Sequence, residues 1–175
     1  MKLLFLFMSS LFIFLNCNEE PTEEIKENNQ LFDNEIMNPK IIISNTTSKI
    51  IEANAHYLKK NNDDDAILFG DVITHFFNDK NEHISILTAD TAKINENNNN
   101  FNAIGNVIVI SDSGLTLKTN QLIWDHQYKL VISNDSVEFT TKEKDTLFGV
   151  GFESDMDLSH WKILKPSGVT SRILN

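Results

Sequence analysis

The sequence has little with which to staple, coordinate or catalyse. Among its 175 residues there is one cysteine, Cys17, so no internal disulfide can form. The six glycines are scattered at or beside expected strand ends and build no phosphate-cradling loop. No Gly-x-Ser-x-Gly elbow and no His-Glu-x-x-His pair occurs, and none of the five histidines pairs with another at metal-ligand spacing. Positive charge is scarce: 15 Lys and Arg stand against 25 Asp and Glu, a formal net charge of −10. A surface of that sign repels phosphate backbones, which argues against nucleic acid as a partner. Long apolar runs are missing too. The one candidate, Leu3 to Leu15, would reach only about 20 Å as a helix against a hydrocarbon core of about 30 Å.

That run follows Met1 and Lys2 and ends at Phe14-Leu15-Asn16-Cys17, so residues 1–16 read as a signal peptide rather than a membrane span. Cys17 directly after it resembles the lipobox of bacterial lipoproteins, whose thiol is diacylated; two acyl chains anchor stably where one does not. Loss of Lys2 with the leader takes the charge to −11. From residue 17 to 40 the chain is acidic and polar, with Pro21 and Pro39 as breakers, and is expected to act as a flexible tether. The folded domain is expected over 41–175.

What the domain does have is a repeat. Phe101 to Ile110, with Gly105-Asn106-Val107 at its centre, recurs as Ala66 to Thr74 around Gly70-Asp71-Val72. Weaker copies lie at Ser133 to Phe139 and Pro166 to Val169. The valines at 72, 107, 137 and 169 step by 35, 30 and 32, and a second marker, Ala53, Ala89, Thr119 and Gly151, steps by 36, 30 and 32. A fixed period in this range indicates units that bury their apolar faces only by stacking on neighbours. Alternation decides what stacks: in Leu115-Thr116-Leu117-Lys118-Thr119 the leucines share one face, as half-buried strands require. Strands are expected at 41–45, 48–58, 66–77, 83–94, 101–111, 114–124, 128–133, 136–141, 146–154, 158–164 and 168–174. Turn chemistry fills the breaks, as in Asn61 to Asp65, Asn78 to Asn81, Asn95 to Asn100 and Lys142 to Asp145. The fold class is all-β.

Candidate chemistry is thin. His75 and His83 flank the Asn78 to Asn81 turn and could meet across a hairpin, more as polar-face residues than as metal ligands. Asp63-Asp64-Asp65 lacks the spacing and glycine of a calcium loop, and Asp155 with Asp157 offers a carboxylate pair without a facing aromatic cleft. Neither a cofactor nor a metal is implied. A binder is the better reading: strands bent into a trough would give a continuous apolar groove. Its expected lining is Phe69, Val72, Ile84, Ile86, Ile104, Val107, Val109, Leu115, Leu117, Leu122, Trp124, Val137, Phe139, Phe152 and Trp161. Plain core packing is the alternative for any one of them.

Five segments taken in order, Leu87 to Ile94, Ala103 to Val107, Gly114 to Thr119, Leu122 to Asp125 and Leu147 to Asp155, resemble the LptC family. Its members are periplasmic components of the lipopolysaccharide-export system and share the fold of the OstA-like protein LptA. The resemblance implies a twisted, open β-jellyroll that takes lipopolysaccharide from an inner-membrane ABC transporter, holds its acyl chains, and passes it to an LptA-like bridge protein. ATP hydrolysis belongs to the transporter, so no enzymatic activity is expected. It implies edge-to-edge partnering, with the strand end near 41–57 toward the transporter and the edge near 168–174, including Gly168 and Val169, toward LptA. Gly149 and Gly151 match a glycine-bearing segment of the family and are expected to matter at the partner-facing end. Where many members carry an N-terminal transmembrane helix, this chain carries Cys17, which implies a lipid anchor at the periplasmic face of the inner membrane of a Gram-negative cell. Two other readings remain at this point, a structural adaptor of the envelope and a solenoid-like carbohydrate hydrolase using Asp155 or Asp157.

Overall fold

β-Branched and aromatic residues in alternation, with Asn, Asp and Gly at the breaks, fold here as one antiparallel sheet. A computed structural model describes residues 34–60 and 65–168. The leader, Cys17, most of the expected tether, the Asn61 to Asp64 turn, Val169 and the expected last strand beyond Gly168 lie outside the described residues. There are eleven strands and no helix among the described residues: β1 (Asn34–Met37), β2 (Lys40–Ser44), β3 (Lys49–Asn54), β4 (Tyr57–Lys60), β5 (Ala66–Phe77), β6 (His83–Asn95), β7 (Asn100–Ser111), β8 (Thr116–Asp125), β9 (Leu130–Thr140), β10 (Thr146–Ser154) and β11 (Trp161–Ser167).

Strands β4 to β11 pair in sequence order, with β1 outside β4. Strand β3 pairs with the second half of β5, Ile73 to Phe76, while β4 pairs with its first half, Ile67 to Phe69, and β2 adds outside β3. The sheet is open. Among the described residues β1, β2 and β11 each have one neighbour only.

Gly70-Asp71 and Gly105-Asn106 carry the repeat, and both pairs have positive φ at both residues, +77 with 47 and +80 with 47. Read from sequence as turns entering strands, they are instead bulges in the middle of β5 and β7. Register shifts between Phe69 and Val72, Thr88 and Thr91, Ile104 and Val107, Lys118 and Ile123, and Val150 and Phe152 lie opposite one another from strand to strand. Bends in register form a crease, and the crease doubles one sheet into two facing leaflets. The β4 leaflet contains the halves of the long strands that continue from β4; the β3 leaflet contains the others.

Leaflet geometry explains the period. Each repeat is one hairpin, and Val72, Val107 and Val137 are the first inward residues past the crease on β5, β7 and β9. Ala89, Thr119 and Gly151 sit at the crease on the strands between. The extra residue in β5, β7 and β9 keeps their inward alternation unbroken, whereas it inverts on β6 and β8, where Ala89 gives way to Ala92 and Leu117 to Leu122.

Several strand expectations change for related reasons. The sheet begins at Asn34, inside the acidic stretch expected to be tether, because β1 pairs with β4 over Tyr57 to Lys60. The expected strand 48–58 is two strands that part at Ala55-His56, since each pairs with a different half of β5. The pieces 128–133 and 136–141 are a single β9, with Asn134-Asp135 as a bulge rather than a turn. Strand β11 starts at Trp161, and residues 155–160 form a loop.

Between the leaflets lies the core. Trp124, Phe76, Phe101, Phe139, Phe152, Leu68, Leu87, Leu117 and Leu122 are fully buried there. Each such side chain contributes about 1.5–3 kcal/mol on removal from water. The open, continuous trough expected from sequence is thus filled by the protein's own residues.

Candidate functional site

Of the fifteen residues expected to line a groove, Val72, Val107, Val109, Leu115, Leu117, Leu122, Trp124, Val137, Phe139 and Phe152 are buried in the interior. Ile84 packs on the core from the edge of the interior. Trp161, 38% exposed, closes the β11 side, its ring 4.6 Å from that of Phe139, which in turn lies 5.3 Å from Phe152. Phe69, Ile86 and Ile104 are corrections: they face outward. Leu68, Leu87 and Ala103, their neighbours, take the inward positions. Alternation counted back from the inward valines at 72 and 107 passes through Gly70 and Gly105 to Leu68 and Ala103, which leaves Phe69 and Ile104 on the outer face. On β6 the inward set includes a polar residue, Ser85, and that reverses the choice suggested by hydropathy.

Gly149 and Gly151 seat the last strand. A Cβ at Gly149 would overlap Ile163 Cγ2 and stand 2.7 Å from the carbonyl of Lys165; one at Gly151 would stand 2.9 Å from Leu164 Cδ1. Their bareness lets β11 cross close over β10. Gly168, at φ +134 beyond the end of β11, has no such neighbour.

Opposite the crease the leaflets meet at a rim made of turns. There the Lys129 ammonium lies 3.4 Å from the Asp79 carboxylate, joining the β8–β9 turn to the β5–β6 turn. The Ser85 hydroxyl donates to the Met156 carbonyl at 2.7 Å, and the rings of Phe76 and Trp124 lie 6.5 Å apart between the leaflets.

The loop between β10 and β11 closes this rim. Leu158, with φ +61, is fully buried, and Met156 packs against the core. Asp155 holds the loop in shape: its carboxylate accepts from His160 Nδ1 at 2.7 Å, Ser159 Oγ at 2.9 Å and the His160 backbone N–H at 3.2 Å. Burial raises the pKa of Asp155, but the bonds from the His160 side chain, Asp157, the His160 N–H and Ser159 outweigh it and lower it to about 2. This carboxylate is committed to holding the loop. Sequence reasoning singled out the aspartates and passed over Met156 and Leu158, although the alternation Asp-Met-Asp-Leu was a usable sign of apolar residues turned one way.

A pocket of about 230 Å³ opens at the rim, lined by Ile50, Phe77, Ile84, Met156, Trp124 and His126 among others. The other expectations resolve simply. His75 and His83 do meet across the β5–β6 hairpin, Nδ1 to Nε2 at 3.0 Å, and His83 Nδ1 lies 2.9 Å from Asp112. No group of three or more metal-ligating side chains occurs among the described residues. Asp65 pairs with Lys93 at 3.0 Å and accepts from Asn95 Nδ2 at 2.9 Å.

A family model described as lipopolysaccharide-assembly, LptC-related matches residues 2–170 of the chain. No curated protein matches it.

Proposed function

The chain belongs to the LptC family of lipopolysaccharide-assembly proteins, and from that premise we propose that it carries lipopolysaccharide by admitting acyl chains between its two leaflets. The observation behind this reading is the unequal way the leaflets are joined. At the crease β5 to β10 run on unbroken from one leaflet into the other; along the rim, among the described residues, the polar ties are an exposed ion pair and a hydrogen bond to a carbonyl, beside side-chain packing. The crease is then the hinge and the rim the entrance. Acyl chains replace Met156, Leu158 and neighbouring core contacts with contacts of their own. At about 0.8 kcal/mol per buried CH₂ a dodecyl chain gains on the order of 10 kcal/mol, enough to offset displaced packing and to make release into water slow.

Transfer therefore runs from one apolar interior to the next, through partners seated at the sheet's ends. Strands β1 and β2 would take the export transporter and β11 an LptA-like bridge protein, each by strand addition. Lipid on Cys17 would hold the chain at the periplasmic face of the inner membrane, with the acidic segment as tether. The cargo is anionic, as is this protein, so the grip comes from acyl chains while phosphates stay in solvent.

A second reading, an adaptor that uses its edges and never opens, is favoured by the filled interior. Spin labels on the exposed Lys80 and Gln127, one on each side of the rim, separate the two. The carrier lengthens that distance when lipopolysaccharide is added, and the adaptor leaves it unchanged.

A further inference from the structure

Two residues that line the pocket at the rim each carry a buried polar atom without a bonding partner among the described residues. Trp124 Nε1 and His126 Nδ1 are buried, and neither has a hydrogen-bond partner among the described residues. An orphaned buried donor is costly, so native proteins seldom keep one without a purpose. Here two belong to adjacent rings, packed edge to face with centroids 5.2 Å apart, and both residues line the same pocket. Trp124 itself is wholly buried, and the His126 backbone N–H is held by Asn100 Oδ1 at 3.0 Å, which fixes the residue's position at the end of β8.

The indole can only donate. The imidazole nitrogen can accept when the proton sits on the other ring nitrogen. A hydroxyl set between the two rings would answer both, taking the indole N–H on its oxygen and giving its own proton to His126 Nδ1. A carbonyl leaves one proton arrangement less favoured, and a bare methylene satisfies neither. The walls of Ile50, Phe77, Ile84 and Met156 ask for methylenes on either side of that oxygen. At about 230 Å³ the pocket has room for the oxygen-bearing end of a chain and not for a whole one, since a single water takes about 30 Å³.

We propose that this pocket is a hydroxyl-reading subsite, in which Trp124 and His126 select acyl chains that carry a hydroxyl group near their polar end over plain chains. The inference rests on the carrier reading, because it requires acyl chains at the rim, and it adds a chemical preference that the reading does not contain. The rim bears Asp79, Asp155 and Asp157 against Lys129, so the recognised group is a neutral one.

The test uses the full-length protein and two neutral probes that differ by one oxygen, N-(3-hydroxytetradecanoyl)glucosamine and N-tetradecanoylglucosamine, in competition with a dansyl-labelled fatty acid. The hydroxylated probe should bind roughly tenfold more tightly, the gain from one or two net hydrogen bonds. Trp124→Phe and, separately, His126→Phe should bring that ratio to about one, whatever each does to the affinity for the plain probe. Equal binding of the two probes by the unaltered protein, or a preference that survives both substitutions, overturns the subsite and leaves the carrier intact. Failure of both probes to displace the label overturns the carrier reading, and the subsite with it.

Discussion

The Ser85 hydroxyl donates a 2.7 Å hydrogen bond to the backbone carbonyl of Met156, and through it β6 is tied to the loop that closes the opposite leaflet. Ser85 is buried, so its hydroxyl has the Met156 carbonyl in place of water. Ser85→Ala should cost about 1–3 kcal/mol of stability, read as a lower urea midpoint with an unchanged slope. Lys129→Ala breaks the other polar tie across the rim, but that pair is 59% and 74% exposed and should cost at most about 1 kcal/mol. Equal effects of the two substitutions would mean that the rim is not organised around the Ser85 bond.

Acid should loosen the β10–β11 loop before the sheet. The Asp155 carboxyl falls from 3.8 to about 2 on folding, despite the opposing effect of burial, because the loop's donors stabilise its charge. A depressed carboxyl contributes stability that is complete above its unfolded value and disappears as pH falls through the folded one. The window is therefore about pH 4 down to about pH 2. The amide protection factors of Leu158 and Ser159, taken relative to intrinsic exchange at each pH, should fall across that window, and Asp155→Asn should flatten the dependence. Glu52, held near 2 by Lys40 and Lys49, titrates in the same window on β3, so its own neighbours serve as the internal comparison.

The crease on β7 depends on Gly105. At Gly105 the backbone is at φ +80 and a Cβ would collide with the Asp90 carboxylate, which also accepts from Asn106 Nδ2 at 2.8 Å. Gly114 has a similar φ of +89, but its nearest neighbour, Lys142 Cγ, is 3.9 Å away. Both alanine variants bear the backbone strain, on the order of 1 kcal/mol. Gly105→Ala bears the collision as well and should lose at least about 1 kcal/mol more in thermal or urea unfolding.

Gly149→Ala should act at the edge and not in the core. It forces Ile163 and the Lys165 carbonyl away from β10, so amide protection should fall along β11 while that of β6 and β7 stays within about twofold. Uniform loss across the sheet would contradict the seating role given to this glycine.

Most of the architecture was legible because hydrophobic alternation and turn residues are local signals. The hairpin period of the valines and the pairing of His75 with His83 could be read directly. What escaped was long-range. A bulge such as Asn134-Asp135 uses turn residues without turning the chain, and only the partner strand reveals that β9 runs through it. The split at Ala55-His56 reflects which half of β5 each piece joins, a matter of tertiary pairing. The inward serine at 85 and the buried pair Met156 and Leu158 depend on the doubling of the sheet, which no single strand encodes.

The central claim is that acyl chains enter the space between the leaflets. Metabolic replacement of leucine by its diazirine analogue, followed by irradiation of cells and mapping of lipopolysaccharide adducts, tests it with little change in side-chain volume. Adducts at the interior Leu117, Leu122 and Leu158, with few at the outward Leu130 and Leu147, are the predicted result. Adducts confined to Leu130 and Leu147, or absent from every interior leucine, would contradict it.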